Sequence, residues 1–99
     1  FRQYLVDRYY SEVAGENAQC NGSIWSFEPD GTFEITAVAN GEITRGRWAL
    51  GLDHLSLTQI SITDMDTQAV RSEGDADVKI SWHDGILIIG SVALYSCHL

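Results

Sequence analysis

Two histidines each stand beside an aspartate, in Asp53-His54 and His83-Asp84, and two cysteines, Cys20 and Cys97, flank the most regularly patterned part of the chain. A His–Asp pair can orient a general base, and imidazoles with carboxylates can hold a metal, but either use requires the groups to converge. The turn pattern described below sets the 51–54 and 83–85 turns at opposite ends of a meander, a strand's length apart. The spacing therefore predicts ordinary turn polarity for both pairs, and a solvated His98 near the chain end. Asp64 and Asp66 could begin a hard-cation loop, yet the ligand number and glycine of a calcium site are missing, which predicts a polar connection. No serine sits in a G-x-S-x-G elbow, no glycine-rich phosphate loop precedes a helix, and no CxxC or Cys/His spacing marks a metal or redox centre. The expectation is a protein that is not an enzyme, with no catalytic residue, no cofactor and no metal.

Cys20 and Cys97 are better used on each other than as nucleophiles. A bridge closing a loop of about 78 residues contributes roughly 4.5 kcal/mol on the chain-entropy model, less any strain. It implies an oxidising compartment, secreted or periplasmic; the alternative is two buried free thiols in a cytosolic protein. Ninety-nine residues predict a single domain, 1–99, with 44% apolar content and ten aromatic side chains (three Trp, three Phe, four Tyr) to fill its core. The formal charge of −8 is spread without a long like-charge block, so no nucleic-acid partner is expected. An acidic surface keeps small secreted proteins apart and leaves a cationic partner open. No apolar run approaches the ~20 residues that span a bilayer, so no transmembrane segment is expected. The start at Phe1 reads as a mature or trimmed chain. Asn21-Gly22-Ser23 fits a glycosylation acceptor, a triplet common by chance.

The elements that would position these groups change character along the chain. Phe1, Tyr4, Leu5, Tyr9 and Val13 recur at three- and four-residue intervals, one stripe of a helix, with Gly15 as its stop. The spacing predicts an N-terminal helical segment over 1–15; a strand competes, because Val6 and Tyr9-Tyr10 also suit sheets. From Cys20 to His98 the chain predicts an antiparallel β-meander, its period two becoming clear from Ser23. A three-residue Pro29-Asp30-Gly31 loop opposes Phe27 to Phe33 and Trp25 to Ile35. A two-residue Asn40-Gly41 turn then opposes Phe33 to Trp48, Ile35 to Gly46 and Glu34 to Arg47. The turn at Gly51–His54 faces Leu50 to Leu55 and Trp48 to Leu57, and an Asp84-Gly85 turn faces Trp82 to Leu87 and Ile80 to Ile89. Val92 to Cys97 reads as a continuation past a bend at Gly90-Ser91. Thr67–Arg71 reads as a weak strand between polar loops at 63–64 and 72–77. The fold expected is mainly β: a small antiparallel barrel or sandwich with a short N-terminal helix and one disulfide.

The phrase Trp25-Ser26-Phe27-Glu28-Pro29-Asp30-Gly31-Thr32-Phe33, then Gly46-Arg47-Trp48 and Leu55-Ser56-Leu57, is similar to the small bacterial lipocalin-like (calycin-type) proteins. Their strands often read F-x-x-D-G-T-F, G-x-W and L-x-L, and a cysteine like Cys97 recurs in their last strand. The resemblance spans roughly Cys20 to Cys97 and implies a secreted or periplasmic up-and-down barrel with an accessory role. The family's usual Gly-x-Trp before the first strand is absent, its place taken by Phe1–Val13. That departure counts against a full eight-stranded, ligand-holding calyx.

Some residues break the in–out alternation. Val38, Ile43, Ile60 and Ile62 fall on the face opposite Trp25, Phe27, Phe33 and Trp48, in a register that opposes Val38 to Ile43 and Ile43 to Ile62. The inward positions beside them turn small or polar: Ala37, Ala39, Thr44, Gln59 and Ser61. Three readings compete: the N-terminal segment covers this cluster, a bulge near Thr58–Gln59 rotates Ile60 and Ile62 inward, or the cluster is a partner or homodimer surface. With Thr44 and Gln59 at the open end, these residues are the candidate partner or ligand surface. The function expected is a non-catalytic extracytoplasmic binding module for a protein partner or a small apolar ligand. The alternative is an inhibitor of a secreted enzyme, inserting a loop such as 64–67 or 72–77 into a cleft.

Overall fold

In a computed structural model, which describes residues 5, 6 and 8–99, eight antiparallel strands follow one another around a closed barrel. They are β1 (Tyr9–Ala14), β2 (Cys20–Phe27), β3 (Thr32–Ala37), β4 (Glu42–Leu50), β5 (His54–Asp64), β6 (Val70–His83), β7 (Ile86–Ile89) and β8 (Val92–Cys97). The meander closes where β8 pairs with β1, Tyr9 opposite Cys97 and Ser11 opposite Tyr95. The barrel is thus eight-stranded, contrary to what the missing Gly-x-Trp suggested.

The strand that completes it comes from the segment expected to be helical. Phe1 and Tyr4 lie outside the described residues, but Tyr9–Ala14 is a strand rather than a helix. Its Tyr10 is fully buried opposite Trp25, edge-on to the Trp82 ring at 6.4 Å, while Tyr9 and Val13, part of the supposed helical stripe, are 42% and 50% exposed. An inward aromatic and two ladders outweigh a short helix, which is marginal without packing.

The inward side chains fill the lower part of the barrel. Tyr10, Phe27, Phe33, Trp48, Leu55, Leu57, Ile80, Leu87, Ile89 and Leu94 are buried together with Leu5, and Trp25, Ile35, Ile60 and Trp82 pack against them. Phe27 is central, edge-on to Trp48 at 6.0 Å and 6.3 Å from the Phe33 ring. The Trp48 indole N–H donates to the carbonyl of Glu28 at 3.0 Å.

Most turn chemistry acts as its residues dictate. Gly31 takes the left-handed position of the Pro29–Gly31 loop (φ 91°), which sets Phe27 opposite Phe33 and Trp25 opposite Ile35. Asp84 and Gly85 both have positive φ, as a type I′ turn requires, and align Trp82 with Leu87. The β3–β4 connection differs. It is four residues, 38–41, containing a 3₁₀ turn, and Phe33 faces Gly46 rather than Trp48 while Ile35 faces Thr44. Glu34 accordingly pairs with Arg45 (3.2 Å), not Arg47. A shift of two residues keeps every side chain on its face. The gain is steric: a Cβ on Gly46 would come within 2.7 Å of the Phe33 ring, so only glycine lets that ring lie across β4.

Two further segments differ from expectation. At Gly90-Ser91 the chain reverses instead of bending, Ile89 facing Val92, so β8 is a separate strand. Residues 70–83 form one continuous strand, so 72–77 is not a loop.

Candidate functional site

The strands are unequal, and that inequality opens the barrel on one side. β6 runs for 14 residues, whereas β7, its neighbour, has four and covers only Ile80–His83. From Val70 to Val78, β6 pairs with β5 along one edge and, among the described residues, with no strand along the other. Val70 to Asp75 are all exposed, Val70 at 65%. The last backbone bond on the β7 side is Gly90 N–H to the carbonyl of Lys79 at 2.7 Å. Because a strand's polar groups alternate between its edges, the N–H and C=O of Asp77 and Asp75 point the same way and meet solvent.

Beside this opening lies part of the barrel's inner face, half-buried from Trp25 to Ile62 and exposed at Arg71. One row across the sheet runs Trp25, Ile35, Thr44, Ile62, Arg71, each opposite the next. Ile60 and Ala76 pack nearby against the core. The rim is charged: the Arg71 guanidinium bonds Glu42 at 3.0 Å and Glu73 at 2.9 Å, and these contacts raise its pKa. On the opposite wall the Trp25 indole donates to the Glu12 carboxylate at 3.2 Å. On the outer face of the free edge stand Asp75 and Asp77, flanking the inward Ala76.

The six residues singled out from the sequence do not form one surface. A bulge separates Leu57 from Ile60, with Gln59 left-handed (φ 53°) and exposed, its N–H donating to the Asp75 carboxylate at 3.1 Å. A second register shift between Arg45 and Arg47 matches it on β4. Together they reverse the alternation, so Ile60 and Ile62 turn inward and Thr44 faces Ile62. Ile43 stays on the outer face, between Thr36 and Thr63, so it opposes neither Val38 nor Ile62. Val38 lies in the 3₁₀ turn. Ser61, expected inward, pairs with Arg45 on the outside. β1 pairs with β2 and β8 and covers none of them. Of the explanations for the broken alternation, the bulge is present and accounts for Ile60 and Ile62; residues 1–4 and 7 of the N-terminal segment lie outside the described residues.

The histidine pairs also need correction. His54 and His83 lie at the same end, because β6 passes His54 at Lys79 and continues four residues to His83, about 13 Å along a strand. His54 Nδ1 sits 2.6 Å from its neighbour Asp53, both well exposed. Among the described residues no three His, Cys, Asp or Glu side chains are grouped to hold a metal, and no helix is long and apolar enough to cross a membrane. Asp64 works as a turn organiser: its Oδ1 accepts from the N–H of Asp66 (2.8 Å) and Thr67 (3.0 Å), which holds its carboxyl below the ordinary range.

Cys20 and Cys97 are bonded, as the sequence reading has it. The bulge between Ser11 and Val13 turns the tip of the β1–β2 hairpin toward the chain end. There Cys20 N–H donates to the His98 carbonyl and His98 N–H to that of Ala18, both at 2.9 Å. A shallow groove of about 300 Å³ beside the clasp is lined by Ser11, Ala14, Asp84, Ile86 and Tyr95. The Ser11 hydroxyl donates to the Val13 carbonyl, so it is held by the backbone rather than by a base. The signal for the free β6 edge was present in the sequence as the disparity between a long alternating run ending at Trp82 and the short Ile86–Ile89 run, but the 72–77 stretch reads as a loop because it is acidic and contains Gly74.

Comparison of the chain with family models, with curated proteins and with solved structures returns no match.

Proposed function

We propose that this chain is a non-catalytic, extracytoplasmic recognition module whose ligand is another protein. The observation that carries the reading is the contrast inside the barrel. Its lower half holds a cluster of large buried side chains, which disfavours a small apolar ligand held within, while its upper half presents an open strand edge beside a half-buried inner face. Unpaired edges are usually covered or blunted; here the outward Asp75 and Asp77 and the bulge at Gly74 blunt the edge against a like-charged copy, while its backbone groups stay available to recognition by strand addition. The Cys20–Cys97 bridge and the resemblance to lipocalin-like proteins support a secreted or periplasmic setting.

Native mass spectrometry of the freshly purified chain tests the choice of ligand. The bare mass of the oxidised chain is expected; a stoichiometric lipid or metabolite retained through purification would overturn it.

A second reading, inhibition of a secreted enzyme, draws on the β5–β6 tip. Asp64 pins that turn through its two side-chain bonds, Gln68 N–H donates to the Asp64 carbonyl, and Met65 N–H donates to the Gly41 carbonyl. A preorganised projecting turn loses little entropy on entering a cleft. Residues 72–77, the other loop considered for that role, belong to a strand.

A further inference from the structure

We infer that the edge of β6 over residues 75–78 receives an extended segment of the partner protein as an added β-strand, and that this segment alternates basic with apolar residues. The inference rests on the protein-partner reading and specifies where and by what chemistry binding occurs.

Three observations define the occupant. First, the edge offers backbone groups: Asp75 and Asp77 face away from β5, in line with Lys79, whose carbonyl is the last one taken by β7. A new strand would continue the sheet where β7 stops. Second, the faces beside the edge differ. Ala76 and Val78 point inward and are half-buried, small enough to leave room for apolar neighbours, whereas Asp75 and Asp77 point outward. A strand laid alongside places every second residue next to each set, so one set is Val-, Ile- or Leu-like and the other Lys or Arg. Third, the charge excludes self-pairing. Two copies meeting edge to edge would bring Glu73, Asp75 and Asp77 of each against the other, and like charges opposed across a ladder destabilise it. The chain's net charge of −8 works against a second copy in the same direction. Gly74 (φ 81°) adds a bulge in the middle of the edge, which limits the clean pairing register to the segment from Asp75 upward.

The test uses the intact, oxidised, isotope-labelled chain and a seven-residue capped peptide, Arg-Val-Arg-Val-Arg-Val-Arg. Binding is followed by NMR and amide exchange. The inference expects saturable binding, slowed exchange at Asp75 and Asp77, and a loss of at least tenfold in affinity when alternate peptide nitrogens are methylated to remove strand hydrogen bonds. Asp75→Asn with Asp77→Asn should also weaken it about tenfold, with an unchanged native spectrum elsewhere. Equal binding of the N-methylated peptide, shifts that map away from β6, or no binding would each overturn it. Crosslinkers placed at Asp77 and, separately, at Thr67 in the full chain then distinguish the two levels of failure. A native partner caught from Thr67 and not from Asp77 overturns the edge and leaves a protein ligand standing; a partner caught from neither site, with the peptide also silent, removes both.

Discussion

Within one strand, β6, two stretches have opposite circumstances. Ile80–His83 pairs with β7, its inward Ile80 is 3% exposed, and the Ile80 N–H also donates to the Asp53 carbonyl on the β5 side; Val70–Val78 pairs with β5 alone and is mostly exposed. The chain pattern is similar in both, an alternation of small or apolar with polar residues. What differs is the neighbour: β7 is four residues long, and the barrel is complete only as far as β7 reaches. Closure and packing therefore occupy one half of the molecule, and accessible backbone the other.

Substitutions divide along the same line. Phe27→Ala, in the middle of the closed half, is expected to cost about 3–5 kcal/mol in denaturant unfolding, the usual range for a buried aromatic lost to a cavity. Replacing Cys20 and Cys97 with serine should cost roughly 2–5 kcal/mol, and more of that loss should appear in exchange at β1 and β8 than at β5. Gly46→Ala forces a Cβ against the Phe33 ring and the Thr58 carbonyl, each at 2.7 Å, and about 1–3 kcal/mol is expected from overpacking. In the open half the effects should shrink. Glu42→Gln removes one arm of the Arg71 pair, a surface contact worth under about 1 kcal/mol, and should leave the melting temperature nearly unchanged. If Glu42→Gln proved as costly as Gly46→Ala, the division between the halves would fail.

The same comparison appears in pH dependence. Burial raises the Tyr10 pKa, with Arg8 opposing it, so the folded state holds that proton longer than the unfolded chain does. Its contribution is complete below the unfolded value of about 10 and is lost as pH climbs through the folded one. Asp64 is the reverse case: its lowered carboxyl contributes above the ordinary aspartate range and loses that contribution as pH falls below about 4. The alkaline limit therefore reports the closed half, whereas the acid limit combines the open tip with Asp30, whose carboxyl the Thr32 hydroxyl and N–H also hold low in the Pro29–Gly31 turn, and residue-resolved carboxyl NMR titrations read the two apart.

Much of the closed half was legible because its registers hang on turns with few solutions. Pro29-Asp30-Gly31 and Asp84-Gly85 admit little choice, and both registers stand as derived. The open half was harder for physical reasons. The bulge at Gln59 places a non-glycine residue at positive φ and reverses the faces of Ile60 and Ile62; the broken alternation signalled it, but the same break equally admitted cover by the N-terminal segment or a partner surface. The acidic run from Glu73 to Asp77 has the composition of a loop because half of its surroundings are solvent. Tyr9–Ala14 carried a helical stripe whose exposed members, Tyr9 and Val13, have no packing role in the strand that formed.

Native-state amide exchange on the unliganded chain addresses the half-open barrel most directly. Ser81 lies where β7 covers β6, and its amide should exchange only with global unfolding, whereas Asp75 and Asp77 should exchange at least a hundredfold faster, near the rate of exposed backbone. Protection of Asp75 and Asp77 equal to that of Ser81 would mean the edge is already occupied, and the account of this molecule as a recognition barrel with one open seam would be contradicted.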